Sequence, residues 1–85
     1  MGIIAACTAS AAVPRLTQTD VIRIADANAR RVMDVDLHRY EHWRIYYRTE
    51  DETWSVCYRS KTNHRVVFNV RVNDKTKKAQ VIEID

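Results

Sequence analysis

Glycine and proline are almost absent from this chain. The only glycine is Gly2 and the only proline is Pro14. Glycine usually occupies the left-handed backbone positions of tight turns, because it has no Cβ atom to clash there. We therefore expect every turn after Pro14 to be made by a residue other than glycine.

Long apolar runs and metal-ligand patterns are also missing. No apolar stretch approaches the ~20 residues that a membrane-spanning helix needs. The two cysteines, Cys7 and Cys57, have no zinc-site spacing. The sequence thus predicts neither a metal site nor a cofactor. A disulfide between the two cysteines is an open alternative.

The net positive charge is small, and most of the basic residues are arginine. The 85 residues make one small domain with a net charge of +3, and ten of the 14 basic residues are arginine. This balance favours anionic partners mildly. Arginine also pairs with carboxylates on protein surfaces, so the charge alone does not indicate nucleic acid.

One amphipathic helix is predicted over residues 18–33. Thr17 followed by Asp20 has the spacing of a capping-box variant. Apolar residues then recur at helical spacing and form one face. They are Val21, Ile22, Ala25, Ala29, Val32 and Met33. Val35 and Leu37 are expected to turn inward after the helix.

Four strands are predicted in the second half, over residues 41–49, 53–60, 65–72 and 79–84. Their apolar residues alternate with polar ones, which is typical of antiparallel strands with one buried face. A hairpin that pairs Ile45 with Val56 would align Trp43 with Tyr58 and place the large rings together. Val66 and Ile84 are also expected on the buried face, with Val67 and Val81 on the opposite one. The predicted core is Trp43, Ile45, Trp54, Val56, Phe68, Val70 and Ile82, covered by Ile22, Ala25 and Ala29.

These elements predict an α+β fold in which one N-terminal helix packs on a four-stranded antiparallel meander. The predicted organisation is a flexible lead segment or tether over residues 1–15 and a single helix-on-sheet domain over residues 16–85. The lead segment is rich in alanine, and residues 4–7 (IAAC) resemble a bacterial lipobox with Cys7 as the lipidation candidate. A basic start and an apolar stretch long enough for a signal peptide do not precede Cys7. A disordered, alanine-rich segment is the alternative.

Four segments resemble PepSY-like domains and the related cystatin-like immunity proteins. The resemblance lies in LTQTDVIRIA (residues 16–25), DLHRYE (36–41), ETWSV (52–56) and VRVNDKTKK (70–78). The resemblance spans roughly residues 16–84. Lys77 occupies the position where the family has glycine. That position usually needs a left-handed backbone, which would cost a non-glycine residue roughly 1 kcal/mol or more. The resemblance implies a cystatin-like fold and a small extracytoplasmic module that binds or inhibits proteins, without enzymatic activity or a cofactor.

The candidate binding site lies on the predicted wet face of the sheet. Arginine and tyrosine are enriched where proteins bind proteins. The predicted partner-binding residues are Arg44, Tyr46, Arg48, Arg59 and Arg71. The same pattern also describes platforms for single-stranded nucleic acid. Only one aromatic residue is expected on this face, and Glu83 would interrupt it. A solvated face whose arginines prevent aggregation is the third interpretation.

Metal and catalytic alternatives rest on three residues. His42, Cys57 and His64 are conceivable metal ligands, and Cys57 with a histidine is a conceivable nucleophile pair. The predicted register places Arg44 beside Cys57 and His42 opposite Arg59. Exposed polar side chains are the simpler interpretation, so no catalytic residue is predicted.

The predicted function is a non-enzymatic binding or inhibitory module that acts on an acidic protein partner, such as a toxin or an enzyme. We expect a monomer or weak dimer in the periplasm or tethered to the envelope, with membrane attachment only through a lipid at Cys7. A cytoplasmic nucleic-acid-binding domain is the first alternative. A structural domain that assembles through a sheet edge is the second.

Overall fold

A computed structural model describes residues 13–83 of the chain. Helix α1 spans Gln18–Met33, and a short 3₁₀ helix spans Leu37–Arg39. Four strands follow: β1 (Tyr40–Arg48), β2 (Thr53–Ser60), β3 (Val66–Asn73) and β4 (Ala79–Glu83). They form one antiparallel sheet in the order β1-β2-β3-β4. The predicted α+β helix-on-meander arrangement is confirmed.

Helix α1 begins and ends at residues that the sequence marks. The Asp20 amide donates to the Thr17 hydroxyl at 3.1 Å, and the Thr17 amide donates to the Asp20 carboxylate at 3.3 Å. This reciprocal capping box satisfies two amides that have no partner within the helix. Asp34 ends the helix in a left-handed conformation, with φ 55°, and its amide donates to the Arg30 carbonyl.

The core lies between α1 and one face of the sheet. The helix crosses β3 and β4 and reaches β2. Its buried contacts come from Val21, Ala25 and Ala29 rather than from Ile22, which is only half-buried. Val32, expected on the apolar face, is exposed. The sheet contributes Trp54, Val56, Tyr58, Phe68, Val70 and Val72. Ile45 and Tyr47 of β1, and Val35 and Leu37 from the segment after α1, are partly buried and pack against this core.

Trp43 is not part of the core, contrary to prediction. The register of β1 against β2 shifts between His42 and Arg44, so Trp43 is an extra residue in a β-bulge. His42, not Trp43, lies opposite Tyr58, and Glu41, not His42, lies opposite Arg59. Trp43 is consequently 47% exposed. The pairs Ile45–Val56 and Tyr47–Trp54 are as predicted.

The two later strands also differ from the predicted alternation. A second register shift, between Tyr58 and Arg59, places Val66 beside Arg59 and lets Val67 pack against the core. In β4, Val81 pairs with Val70 and packs against the core, whereas Ile82 pairs with Asn69 on the other face. Cross-strand partners share a face, so Val81 replaces Ile82 in the core. Ile84 lies outside the described residues.

The three hairpin turns confirm that the sheet is built without glycine. Each contains one residue with positive φ: Glu52 (54°), His64 (59°) and Lys77 (65°). Lys77 adopts the left-handed conformation expected at the position where the resembling family has glycine. Asn73 supports this turn, because its side-chain oxygen accepts from the amides of Lys75 and Thr76.

The chain preceding α1 is attached to the β3–β4 turn. The Arg15 and Leu16 amides donate to the two carboxylate oxygens of Asp74 at 2.8 and 3.0 Å, and Leu16 is buried. Residues 1–12, which include the proposed lipidation site Cys7, lie outside the described residues. No helix within residues 13–83 is long and apolar enough to cross a membrane.

Candidate binding surface on the open face of the sheet

Within residues 13–83, no layer of secondary structure covers the side of the sheet away from α1, and we call this side the open face. Cross-strand partners place Tyr46, Ser55, Arg71 and Gln80 in one row of this face. Arg44, Cys57, Asn69 and Ile82 form the next row. Three strands of the sheet therefore supply the long side chains that surround its centre.

All five predicted partner-binding residues lie on the open face. Arg44, Tyr46 and Arg48 alternate along β1, while Arg59 comes from β2 and Arg71 from β3. The guanidinium of Arg44 lies 5.0 Å from the centre of the Tyr46 ring. Such a cation–π contact between exposed side chains is attractive by about 0.5–1 kcal/mol. Arg59 lies farther along the sheet, beside the bulge.

Trp43 is an open-face residue that sequence reasoning missed. The bulge places its ring under the guanidinium of Arg59, at 5.7 Å. Trp43 is 47% exposed and Tyr46 is 38% exposed, so two large aromatic side chains face solvent among the arginines. Half-buried Val66 and Ile82 add apolar area. Tryptophan, tyrosine and arginine are the side chains most enriched at energetic centres of protein interfaces.

The charges of the open face are only partly compensated. Arg59 donates from Nε to the Glu41 carboxylate at 2.6 Å, and Arg48 lies 3.8 Å from Asp51. Within residues 13–83, neither Arg44 nor Arg71 is within ion-pair distance of an acidic side chain. Glu83, expected to interrupt this face, instead pairs with Phe68 in a row of the helix side. The centre of the open face is therefore cationic.

Small residues lie buried beneath these long side chains. Ser55 and Cys57 are nearly inaccessible although they lie on the side of the sheet opposite α1. Burial raises the pKa of the Cys57 thiol, and the nearby Arg44 opposes this shift only in part. The structure does not pair Cys57 with His42, whose ring contacts Tyr58 on the helix side. His64 lies in the β2–β3 turn, and no cluster of metal ligands occurs within residues 13–83.

A hydrogen-bonded cluster on the helix side gave no signal in the sequence. Asp26 of α1 accepts from the Tyr58 hydroxyl at 2.7 Å and contacts His42 Nε2 at 2.8 Å. Burial and the bond to Asp26 raise the pKa of Tyr58 far above its usual value. The cluster connects α1 with β1 and β2 beside the bulge. The bulge places His42 on the helix side of the sheet.

Comparison with known proteins finds no matching family model, no matching curated protein and no matching solved structure. The resemblance to PepSY-like and cystatin-like domains stays a prediction.

Proposed function

We propose that this chain is a non-enzymatic binding module whose open face docks on an acidic surface of another protein. The observation that carries the proposal is the exposure of Trp43 and Tyr46 on the same face as Arg44 and Arg71, two cations without an acidic partner in the described chain. The resemblance stated above extends the proposal to inhibition of a toxin or protease at the bacterial envelope.

The chemistry of the open face suits a protein partner. Aromatic rings bury a large area at a small cost in side-chain entropy. The arginines add charge complementarity, which raises association rates and makes them salt-dependent. Carboxylates of a partner would receive forked hydrogen bonds from Arg44 and Arg71.

Single-stranded nucleic acid is the second candidate ligand, and one observation favours it. Trp43 joins Tyr46 on the open face, so two aromatic rings lie among arginines, as on stacking platforms. However, one face of each ring already carries a guanidinium, from Arg59 and Arg44 respectively. Glu41 also neutralises Arg59. These contacts leave less ring area for bases and support the protein partner.

The test is an affinity capture from lysate of the source organism, with and without ribonuclease. The open-face variant is Arg44→Glu/Arg48→Glu. The matched control, Lys61→Glu/Arg65→Glu, changes the net charge equally at exposed positions next to the β2–β3 turn. We expect the parent and the control to retain a common protein that the open-face variant loses, whether or not ribonuclease is present.

Two results would contradict this proposal. One is capture of RNA by the parent and the control but not by the open-face variant, with no protein retained after ribonuclease treatment. The other is retention of the same protein by all three chains. The first result would establish the nucleic-acid alternative instead.

A further inference from the structure

The two edges of the sheet differ in how well they are protected. The β1 edge carries the bulge at Trp43 and several charged residues, both of which hinder pairing with another strand. The β4 edge is a regular five-residue strand, AQVIE, without proline or a bulge, and Glu83 is its only charge. An unprotected edge of this kind is a template for an additional strand.

The orientation of the β4 amides follows from the turn that precedes the strand. The Asn73 amide donates to the Lys78 carbonyl at 2.8 Å. Hydrogen-bonded and non-hydrogen-bonded pairs alternate in an antiparallel ladder. Gln80 and Ile82 therefore face β3, whereas the main-chain groups of Ala79 and Val81 point away from the sheet.

A cleft lies on each side of the sheet where β4 begins. The helix-side cleft, about 550 Å³, runs between α1 and the β3–β4 turn. The second cleft, also about 550 Å³, lies on the open face beside Arg71 and Gln80. Lys78 and Ala79 line both. Successive side chains of an added strand point to opposite faces of the sheet, so they would enter the two clefts alternately.

The clefts are cationic, and the helix-side cleft also has an apolar floor. Arg31, Lys77 and Lys78 line the helix-side cleft together with Ile24 and Ala27, and no acidic residue among residues 13–83 does. Asn28, only 7% exposed, lines the same cleft, and its buried side-chain oxygen has no hydrogen-bond partner in the described chain. In the open-face cleft, Asp51 is the only acidic residue of the described chain beside Arg71 and Lys78.

We propose that β4 is a strand-addition site for an extended acidic segment of a partner protein. The main chain of that segment pairs with Ala79 and Val81. Its acidic side chains share one face and lie against Lys77 and Lys78 in the helix-side cleft, and the alternate side chains lie over the open-face cleft. Main-chain pairing provides the affinity, and the clefts select the side chains. The site uses the sheet edge rather than the aromatic centre of the open face, so it does not rest on the function proposed above.

The test uses a fluorescein-labelled peptide of alternating valine and glutamate, with the complete chain as receptor. We expect the peptide to bind the parent and the Lys61→Glu/Arg65→Glu control equally. It should bind Lys77→Glu/Lys78→Glu about tenfold more weakly, because two exposed charge contacts are reversed. A peptide with lysine in place of glutamate, or with N-methylated main-chain amides, should bind at least as weakly as that.

Amide hydrogen exchange gives a second measurement that does not depend on the lysine variant. The peptide should slow exchange at Ala79 and Val81, and this should also occur in Arg44→Glu/Arg48→Glu. Failure of the peptide to bind, equal binding of the N-methylated peptide, or unchanged exchange at these two amides would overturn the proposal. So would protection of the same amides by concentrated protein alone, which would make a second copy of the chain the occupant.

Discussion

The indole nitrogen of Trp54 donates a hydrogen bond to the carboxylate of Asp74 at 3.0 Å, inside the protein. Asp74 is only 2% exposed and also accepts from the amides of Arg15 and Leu16. One carboxylate thus joins the chain before α1, the sheet and the β3–β4 turn. Three donors would be left without their anionic acceptor if the charge of Asp74 were lost.

Asp74→Asn should lower the free energy of unfolding by about 1–3 kcal/mol, because buried N–H groups lose an acceptor and one of them faces an amide NH₂. Urea unfolding monitored by tryptophan fluorescence measures this loss. Asp51→Asn is the matched control, since Asp51 is exposed in the β1–β2 turn and should change stability by about 0.5 kcal/mol or less. Equal effects of the two substitutions would contradict the anchoring role of Asp74.

The hydrogen bonds to Asp74 also predict how the stability of the fold depends on acid pH. Burial alone would raise the pKa of Asp74, but the hydrogen bonds from Arg15, Leu16 and Trp54 outweigh it and hold the pKa below the ordinary value of 3.8. A carboxylate with a lowered pKa in the folded state stabilises the fold above its unfolded pKa, and this contribution disappears as the pH falls through the folded pKa. The stability difference between parent and Asp74→Asn should therefore be constant near neutral pH and shrink below about pH 4. A difference that grows on acidification would be inconsistent with this contact.

Lys77→Gly should raise the free energy of unfolding by up to about 1 kcal/mol, because Lys77 holds φ at 65° and glycine adopts this conformation without a Cβ clash. The gain is reduced by the greater freedom of glycine in the unfolded chain. Lys78→Gly, at the neighbouring exposed position with ordinary φ, is the control and should destabilise. Thermal unfolding compares the two, and a lower melting temperature for Lys77→Gly would mean that the turn gains nothing from glycine.

Phe68→Ala and Trp43→Ala should differ widely although both aromatic residues were expected in the core. Phe68 is 0% exposed and stacks on Tyr58, so its truncation should cost roughly 3–5 kcal/mol. Trp43 lies on the open face, and its truncation should cost about 1 kcal/mol or less. Urea unfolding of both variants provides the comparison. If Trp43→Ala lowers the free energy of unfolding as much as Phe68→Ala does, Trp43 lies in the core and the bulge is contradicted.

Local signals made the fold predictable. The Thr17–Asp20 pair marks the start of α1, and alternation along β1, β2 and β3 fixes the faces of Arg44, Tyr46, Arg59 and Arg71. These signals depend on near neighbours in the chain, so no tertiary information is needed to interpret them.

The wrong predictions, Trp43 in the core and Val81 on the open face, arise where the local sequence pattern is ambiguous. No glycine or proline marks the bulge at Trp43, which is coupled to a contact between His42 and the distant Asp26. In β4, apolar residues occupy both alternation classes, and the closure of the turn by Asn73 and Lys78 decides that Val81 faces inward. The roles of Asp74 and Asp26 likewise depend on partners far away in sequence.

Photo-crosslinking from the open face in living cells tests the central claim most directly. A benzoylphenylalanine side chain would replace Tyr46 in one version of the protein and exposed Thr62 in another, as a control outside the open face. Docking through the open face predicts a protein adduct from position 46 that is absent from position 62 and disappears when Arg44→Glu/Arg48→Glu is added. An adduct with RNA at position 46, or the same protein adduct from both positions, would contradict it.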